Sequence, residues 1–209
     1  MTRRVLSIML LLPIVVMLTG CGGPPPREEL QAVKQVLDDA RAAGAERFAP
    51  REFSEAETAY RQAENEVETE AAKLFKNFTQ AREMIADARR KAEAAHSTTL
   101  TAIQRAREEA EGAIADAANA VDQAQTGLAE APAGKGTESD IEQLRSDLDR
   151  ARADLNAARQ AVGREEFDTA TSSAASAKST AEQVENGVQM AVERYHELVE
   201  AARPWYERI

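Results

Sequence analysis

Apolar residues recur along most of this chain at alternating steps of three and four, the spacing that keeps a stripe on one side of a helix. Glu28 to Ala43 carries Leu30, Val33, Val36, Leu37 and Ala40, and Gly44 then supplies the residue with which helices commonly end. Pro50 stands where a helix can begin without losing a hydrogen bond. From Phe53 the stripe runs through Ala56, Tyr60, Ala63 and Val67, slips by one residue to Ala71, and continues through Leu74, Phe78, Ala81, Ile85, Ala88, Ala92 and Ala95. Such a slip changes the supercoil or marks a break. Asn77 with Gln80 three residues on has the spacing of a capping box. His96 to Thr101 is a second soft spot, because Ser and Thr side chains compete for backbone hydrogen bonds. The pattern leaves 51–129 open as one bent helix or as two or three segments.

From Leu100 the stripe passes Ile103, Arg107, Ala110, Ile114, Ala117, Val121, Ala124 and Leu128. Pro132, Gly134 and Gly136 mark a loop over 130–139. Ile141, Leu144, Leu148, Ala151, Leu155, Ala158 and Val162 follow, large residues alternating with small, up to Gly163. Helices so patterned and joined by a short loop pair antiparallel, with alanine permitting close approach. The last stripe is Phe167, Ala170, Ala174, Ala177, Ala181, Val184, Val188, Ala191, Tyr195, Leu198 and Ala202, predicting a helix from Glu165 to Arg203 that Pro204 stops. It would be about 58 Å long and stable only if other helices cover its apolar face.

The expected fold is therefore all-α: an elongated antiparallel bundle of four to six helices, or coiled-coil hairpins, with Ala-rich seams. Composition agrees. About a fifth of the residues are alanine, 30% are charged and 4% are aromatic. One motif recurs: an aromatic with Ala at +3 and +10, at Phe53/Ala56/Ala63, Phe78/Ala81/Ala88 and Phe167/Ala170/Ala177. It suits a helix that starts just after a turn and packs back on its predecessor, similar to the second helix of tetratricopeptide hairpins. The spacing of the three copies is not the 34-residue period of that array.

The net charge of −10, with no basic stripe, argues against a nucleic-acid partner. At the N-terminus Arg3 and Arg4 precede an apolar run from Val5 to Leu18, which reads as a signal peptide over residues 1–20. Leu18-Thr19-Gly20-Cys21 resembles the lipobox of bacterial lipoproteins. That resemblance implies cleavage before Cys21, a diacylglycerol thioether on its sulfur and a fatty acyl chain such as palmitate on its amine. Gly22 rather than Asp after the cysteine implies the outer membrane, by the sorting rule of enteric lipoproteins. Residues 21–27 form a lipidated tether. The rest divides into an N-terminal helical region (28–129), the loop (130–139) and a C-terminal hairpin (140–209) expected to pack on the N-terminal region.

Residues 32–95 resemble an Ala-rich helical lipoprotein domain family of unknown function, through Gly44, Ala49, Pro50, Phe53, Ala56, Tyr60, Ala63, Asn77, Phe78 and Ala81. The Asp usual before the aromatic is absent, since Asn77 precedes Phe78 directly. The resemblance implies an all-helical envelope lipoprotein and brings no activity with it.

Chemistry is sparse. No phosphate loop, nucleophile elbow or cysteine cluster is present, so no catalytic residue and no cofactor is assigned. Glu93-x-x-His96 and Glu193-x-x-His196 repeat the pair that di-iron bundles use, but both lie at or beyond the edge of the apolar stripe, where solvated side chains are expected. Trp205 and Tyr206, beyond Pro204, either tuck against a bundle end or form an aromatic docking tail. The expectation is a non-enzymatic lipid-anchored scaffold or spacer in the periplasm that contacts envelope proteins. The alternatives are a tetratricopeptide-like adaptor or chaperone with a peptide groove and, more remotely, a metal-binding bundle. Ala-rich seams can close within one chain or between copies, so a homo-oligomer is compatible with the pattern.

Overall fold

The computed structural model describes residues 23–134 and 136–203. Among them the fold is all-α, a helical bundle with no strand: α1 (Arg27–Ala42), α2 (Ala45–Phe48), α3 (Pro50–Ala72), α4 (Thr79–Glu130), α5 (Glu138–Gly163) and α6 (Phe167–Ala201). The chain forms two compact units that divide between Ala102 and Ile103, within α4. The division expected at 130–139 is instead a turn inside the second unit, because α4 keeps its apolar stripe up to Leu128 and packs it on α5 and α6.

In the first unit α1, α3 and the start of α4 run up, down and up. Arg41 near the end of α1 pairs with Glu57 near the start of α3, and Glu29 lies 3.5 Å from Arg82. Gly44 turns the chain with φ 90°, and α2, a single turn that the pattern did not predict, leads to Pro50 at the head of α3. Phe53, Ala56, Ala63 and Val67 of the predicted stripe are buried, Tyr60 is half-buried, and Ala59 joins the buried set. Ala59 is covered because α3 has a neighbour on that side as well: it lines a crevice with Met84 and Asp87 of α4.

The stretch 51–129 is two helices, separated by a non-helical connector at 73–78. Leu74, expected on the seam, is 90% exposed. The reason is geometric. Ala71 already faces Arg27, the first residue of α1, so a longer α3 would find no partner for Leu74. The second soft spot does not break. Thr99 and Thr101 donate their hydroxyls to the carbonyls of Ala95 and Ser97, four residues back, and so leave the backbone ladder intact. Leu100 is half exposed, and buried Thr99 stands on the stripe in its place.

In the second unit the later part of α4, α5 and α6 again run up, down and up. Gln125 meets Arg152 at 2.7 Å, Asp140 meets Arg194 at 3.0 Å, and Asp116 meets Lys178 at 3.3 Å. The α6 stripe is buried from Phe167 to Ala191; beyond it Tyr195 is half-buried and Leu198 and Ala202 are exposed, since α5 begins only at Glu138. Ala161 rather than Val162 carries the last buried position of α5.

Two backbone details carry predictions. Gly163 is the last helical residue of α5, and the left-handed position that closes the helix falls on Glu165 (φ 59°), whose neighbour Glu166 donates its N–H to the Ala161 carbonyl. A side chain is strained there, so Glu165→Gly is expected to stabilise the protein by about 0.5–1 kcal/mol in urea denaturation, even though it removes the exposed pair with Arg107. Unchanged or lower stability would refute this. Second, a Cβ on Gly187 would stand 2.4 Å from Cδ2 of Leu144 on α5. Alanine should therefore gain about 0.5–1 kcal/mol of helix preference at 187 only when Leu144 is also Ala, and lose that gain beside native Leu144. Equal effects in the two backgrounds would show that the glycine is not making room for leucine.

Candidate functional site

One end of the first unit gathers features that its core does not need. There the start of α1, the end of α3 and the start of α4 converge. The described chain begins at Gly23 and passes Arg82 in the first turn of α4, whose guanidinium donates to the Pro24 carbonyl at 3.4 Å. Three prolines stiffen this segment, and at Pro26 (φ −78°, ψ 55°) it turns tightly into α1, the Arg27 N–H donating to the Pro25 carbonyl at 2.8 Å.

Between α1 and α3 runs a cleft of about 510 Å³. Leu30, Val67 and Ala71 form its apolar floor, with Lys34, Glu64 and Glu68 among its polar walls. Tyr60 donates its hydroxyl to Glu64 at 3.2 Å. Partial burial first, then the Glu64 carboxylate, raise the phenol above its ordinary pKa, so it stays a hydrogen-bond donor throughout the neutral range.

The connector Lys73-Leu-Phe-Lys-Asn-Phe78 closes this end. Glu70, a buried carboxylate, organises it by accepting from the Lys73 ammonium and from the Asn77 backbone N–H at 3.3 Å. Asn77 in turn accepts the Thr79 N–H on its Oδ1 at 3.1 Å, a turn two residues long in place of the expected box with Gln80, and Phe78 is buried at the head of α4. With those residues fixed, Leu74 and Phe75 face solvent at 90% and 88% exposure. The pattern predicts Leu74 on a seam and Glu70 on a solvated acidic face, and marks neither Phe75 nor Lys76; Glu70 is instead buried because the connector folds over it to reach its carboxylate. The available signal was the stripe's slip between Val67 and Ala71, followed by an apolar pair bracketed by lysines.

The other sequence-derived candidates are not brought into a site. Cys21, Trp205 and Tyr206 lie outside the described residues. Glu93 is exposed and paired with Arg89 at 2.8 Å, and His96 is half-buried beside it in the first unit. Glu193 and His196 are exposed in the second unit, where His196 meets only the edge of the Tyr195 ring. Among the described residues no three His, Cys, Asp or Glu side chains form a metal-holding group, and no helix is long and apolar enough to cross a membrane. The residues that carry the lipoprotein-domain resemblance serve the fold: Gly44 turns, Pro50 starts α3, Asn77 accepts the first N–H of α4, and Phe53, Ala56, Ala63, Phe78 and Ala81 are buried.

Comparison with protein families, with curated proteins and with solved structures finds no match to this chain.

The Glu70 bridge predicts a pH dependence. The Lys73 hydrogen bond, and secondly that from Asn77, lower the Glu70 pKa despite the opposing effect of burial, while Glu70 raises that of Lys73. A lowered carboxylate stabilises above its unfolded pKa of about 4.3 and loses that contribution as pH falls through the folded value. The raised ammonium loses its share only as pH climbs past the ordinary lysine range. Glu70→Gln should therefore speed amide exchange at 73–78 at neutral pH, with the difference from the native chain closing in acid. A difference that persists unchanged at acid pH would refute the bridge.

Proposed function

We propose that this chain is a non-enzymatic lipoprotein of the cell envelope, held by acyl chains on Cys21 at the periplasmic face of the outer membrane, where its helices serve as a scaffold or spacer for envelope proteins. The observation that carries the reading is Leu18-Thr19-Gly20-Cys21, placed after a charged and apolar leader and directly before a Gly-Pro segment and a folded body. Three acyl chains exceed the two signals that stable anchoring requires. The two small helical units support a role through contact, because their seams are filled by their own alanines and larger apolar side chains.

One feature favours a second reading, a periplasmic adaptor that takes a peptide between helices: the α1–α3 cleft, with its apolar floor, charged walls and a tyrosine donor. In that case Tyr60→Phe and Lys34→Glu, the latter at an exposed wall of the cleft, would abolish crosslinking to partners in intact cells. On the scaffold reading they would leave it unchanged.

The anchor itself is tested by feeding cells an alkynyl fatty acid and sequencing the mature N-terminus by mass spectrometry. The expected result is a mature chain beginning at diacylglyceryl-Cys21, with all fatty-acid label lost in Cys21→Ser. An unlabelled native protein, or a mature N-terminus elsewhere, would overturn the reading.

A further inference from the structure

The connector between α3 and α4 exposes two of its three large apolar side chains almost completely, in a chain that is only 4% aromatic. Folding does not ask for this. The connector's shape is set by Glu70, Asn77 and Phe78, and a polar pair at 74–75 would leave those contacts untouched. We propose that Leu74 and Phe75 are a second membrane contact: they insert into the interface of the bilayer that carries the acyl chains and hold the first unit with this end against the lipid. The inference rests on the lipoprotein reading above and assigns it an orientation.

Two observations select lipid as the occupant. The first is where the described chain begins. Gly23 and Pro24 lie against Arg82, in the turn of α4 that follows the connector directly, so tether and apolar pair occupy the same end of the unit. Cys21 is two residues before Gly23, a reach of at most about 7 Å. A bilayer holding its acyl chains is therefore within reach of side chains at this end. The second is charge. Lys73 and Lys76 bracket the pair in a chain of net charge −10. Lys73 is shared with Glu70, while Lys76 is exposed with no ion pair among the described residues. An apolar pair between cations is the composition that settles at a headgroup boundary, with the hydrocarbon buried and the ammonium groups among phosphates. The opposite end of the unit, at Gly44 and α2, differs: Ala45 is buried, Glu46 binds Arg41, and the one large apolar side chain of α2, Phe48, is half-buried with the Arg47 guanidinium 4.8 Å from its ring.

The test uses the acylated protein isolated from its membrane and reconstituted into vesicles of phosphatidylethanolamine and phosphatidylglycerol. Acylation blocks the chain's one cysteine, so a thiol introduced by Leu74→Cys or, at the far end of α3, by Arg51→Cys takes a fluorophore selectively. The expected result is that a lipid-attached nitroxide quenches the label at 74 several-fold more than the label at 51. Adding Phe75→Ser should bring the value at 74 down to that at 51. Vesicles that float with the protein while both labels are quenched alike would overturn the second contact and leave the anchor standing. Protein that does not float at all would overturn both. A label at 74 shielded from aqueous iodide yet untouched by the lipid nitroxide would mean that a protein surface covers the pair, which also overturns the inference.

Discussion

Alanine at the helix contacts is the constraint on which the rest of this structure depends. Ala56, Ala63, Ala81, Ala88, Ala92 and Ala95 in the first unit, and Ala117, Ala124, Ala151, Ala158, Ala174, Ala177 and Ala181 in the second, are completely buried. A methyl group lets backbones approach closely, but it removes little apolar area from water, at about 0.8 kcal/mol per buried carbon. Such seams hold two helices in line without fixing their register strongly. Register and ends must come from elsewhere.

They come from a few large residues at the turns. Phe53, Phe78 and Phe167 stand at the heads of α3, α4 and α6, each at most 3% exposed, and the alanines at +3 and +10 from each are fully buried. Each burial contributes about 1.5–3 kcal/mol, several times what one alanine does. Two of these aromatics are roofed in the same way: the Arg41 guanidinium lies 5.2 Å from the Phe53 ring and also binds Glu57, while the Arg107 guanidinium lies 5.6 Å from the Phe167 ring and also reaches Glu165. The two units thus repeat one solution. A helix turns, an aromatic plugs the turn, and an arginine from an earlier helix, α1 in one unit and α4 in the other, covers the plug.

This division of labour explains what could be read from sequence. The alanine stripes and the aromatic plugs are periodic, and they were legible nearly residue by residue, as was the glycine turn at Gly44. Three features were not. Where a stripe stops being buried depends on where the partner helix begins, which is why Leu74 and Leu198 carry the period but not the burial. A helix that ends without Gly or Pro leaves no compositional mark: α3 stops because Glu70 and Asn77 rearrange hydrogen bonds over seven residues. A left-handed residue that is not glycine is equally silent, and Gly163 drew the prediction that Glu165 fulfils. The connector escaped notice for the first two of these reasons together.

On the lipoprotein reading proposed above, the connector also bears on how an acidic, tethered body would stand at a surface. Bacterial-type lipid surfaces with anionic headgroups repel a chain of net charge −10, but only over about 8 Å at physiological salt. Residues further away are indifferent to the membrane, so the orientation of the first unit is decided by whichever end comes close. That end must tolerate both hydrocarbon and phosphate. Around the connector Glu29 is matched by Arg82 and Glu70 by Lys73, Arg27 and Glu28 stand exposed side by side in the first turn of α1, and Lys76, Leu74 and Phe75 are exposed on the connector itself. An acyl tether alone fixes distance and leaves tilt free. An apolar pair beside the tether supplies a second point, and two points on one small unit restrict its tilt, which a spacer needs before length along its helices can become height above a membrane.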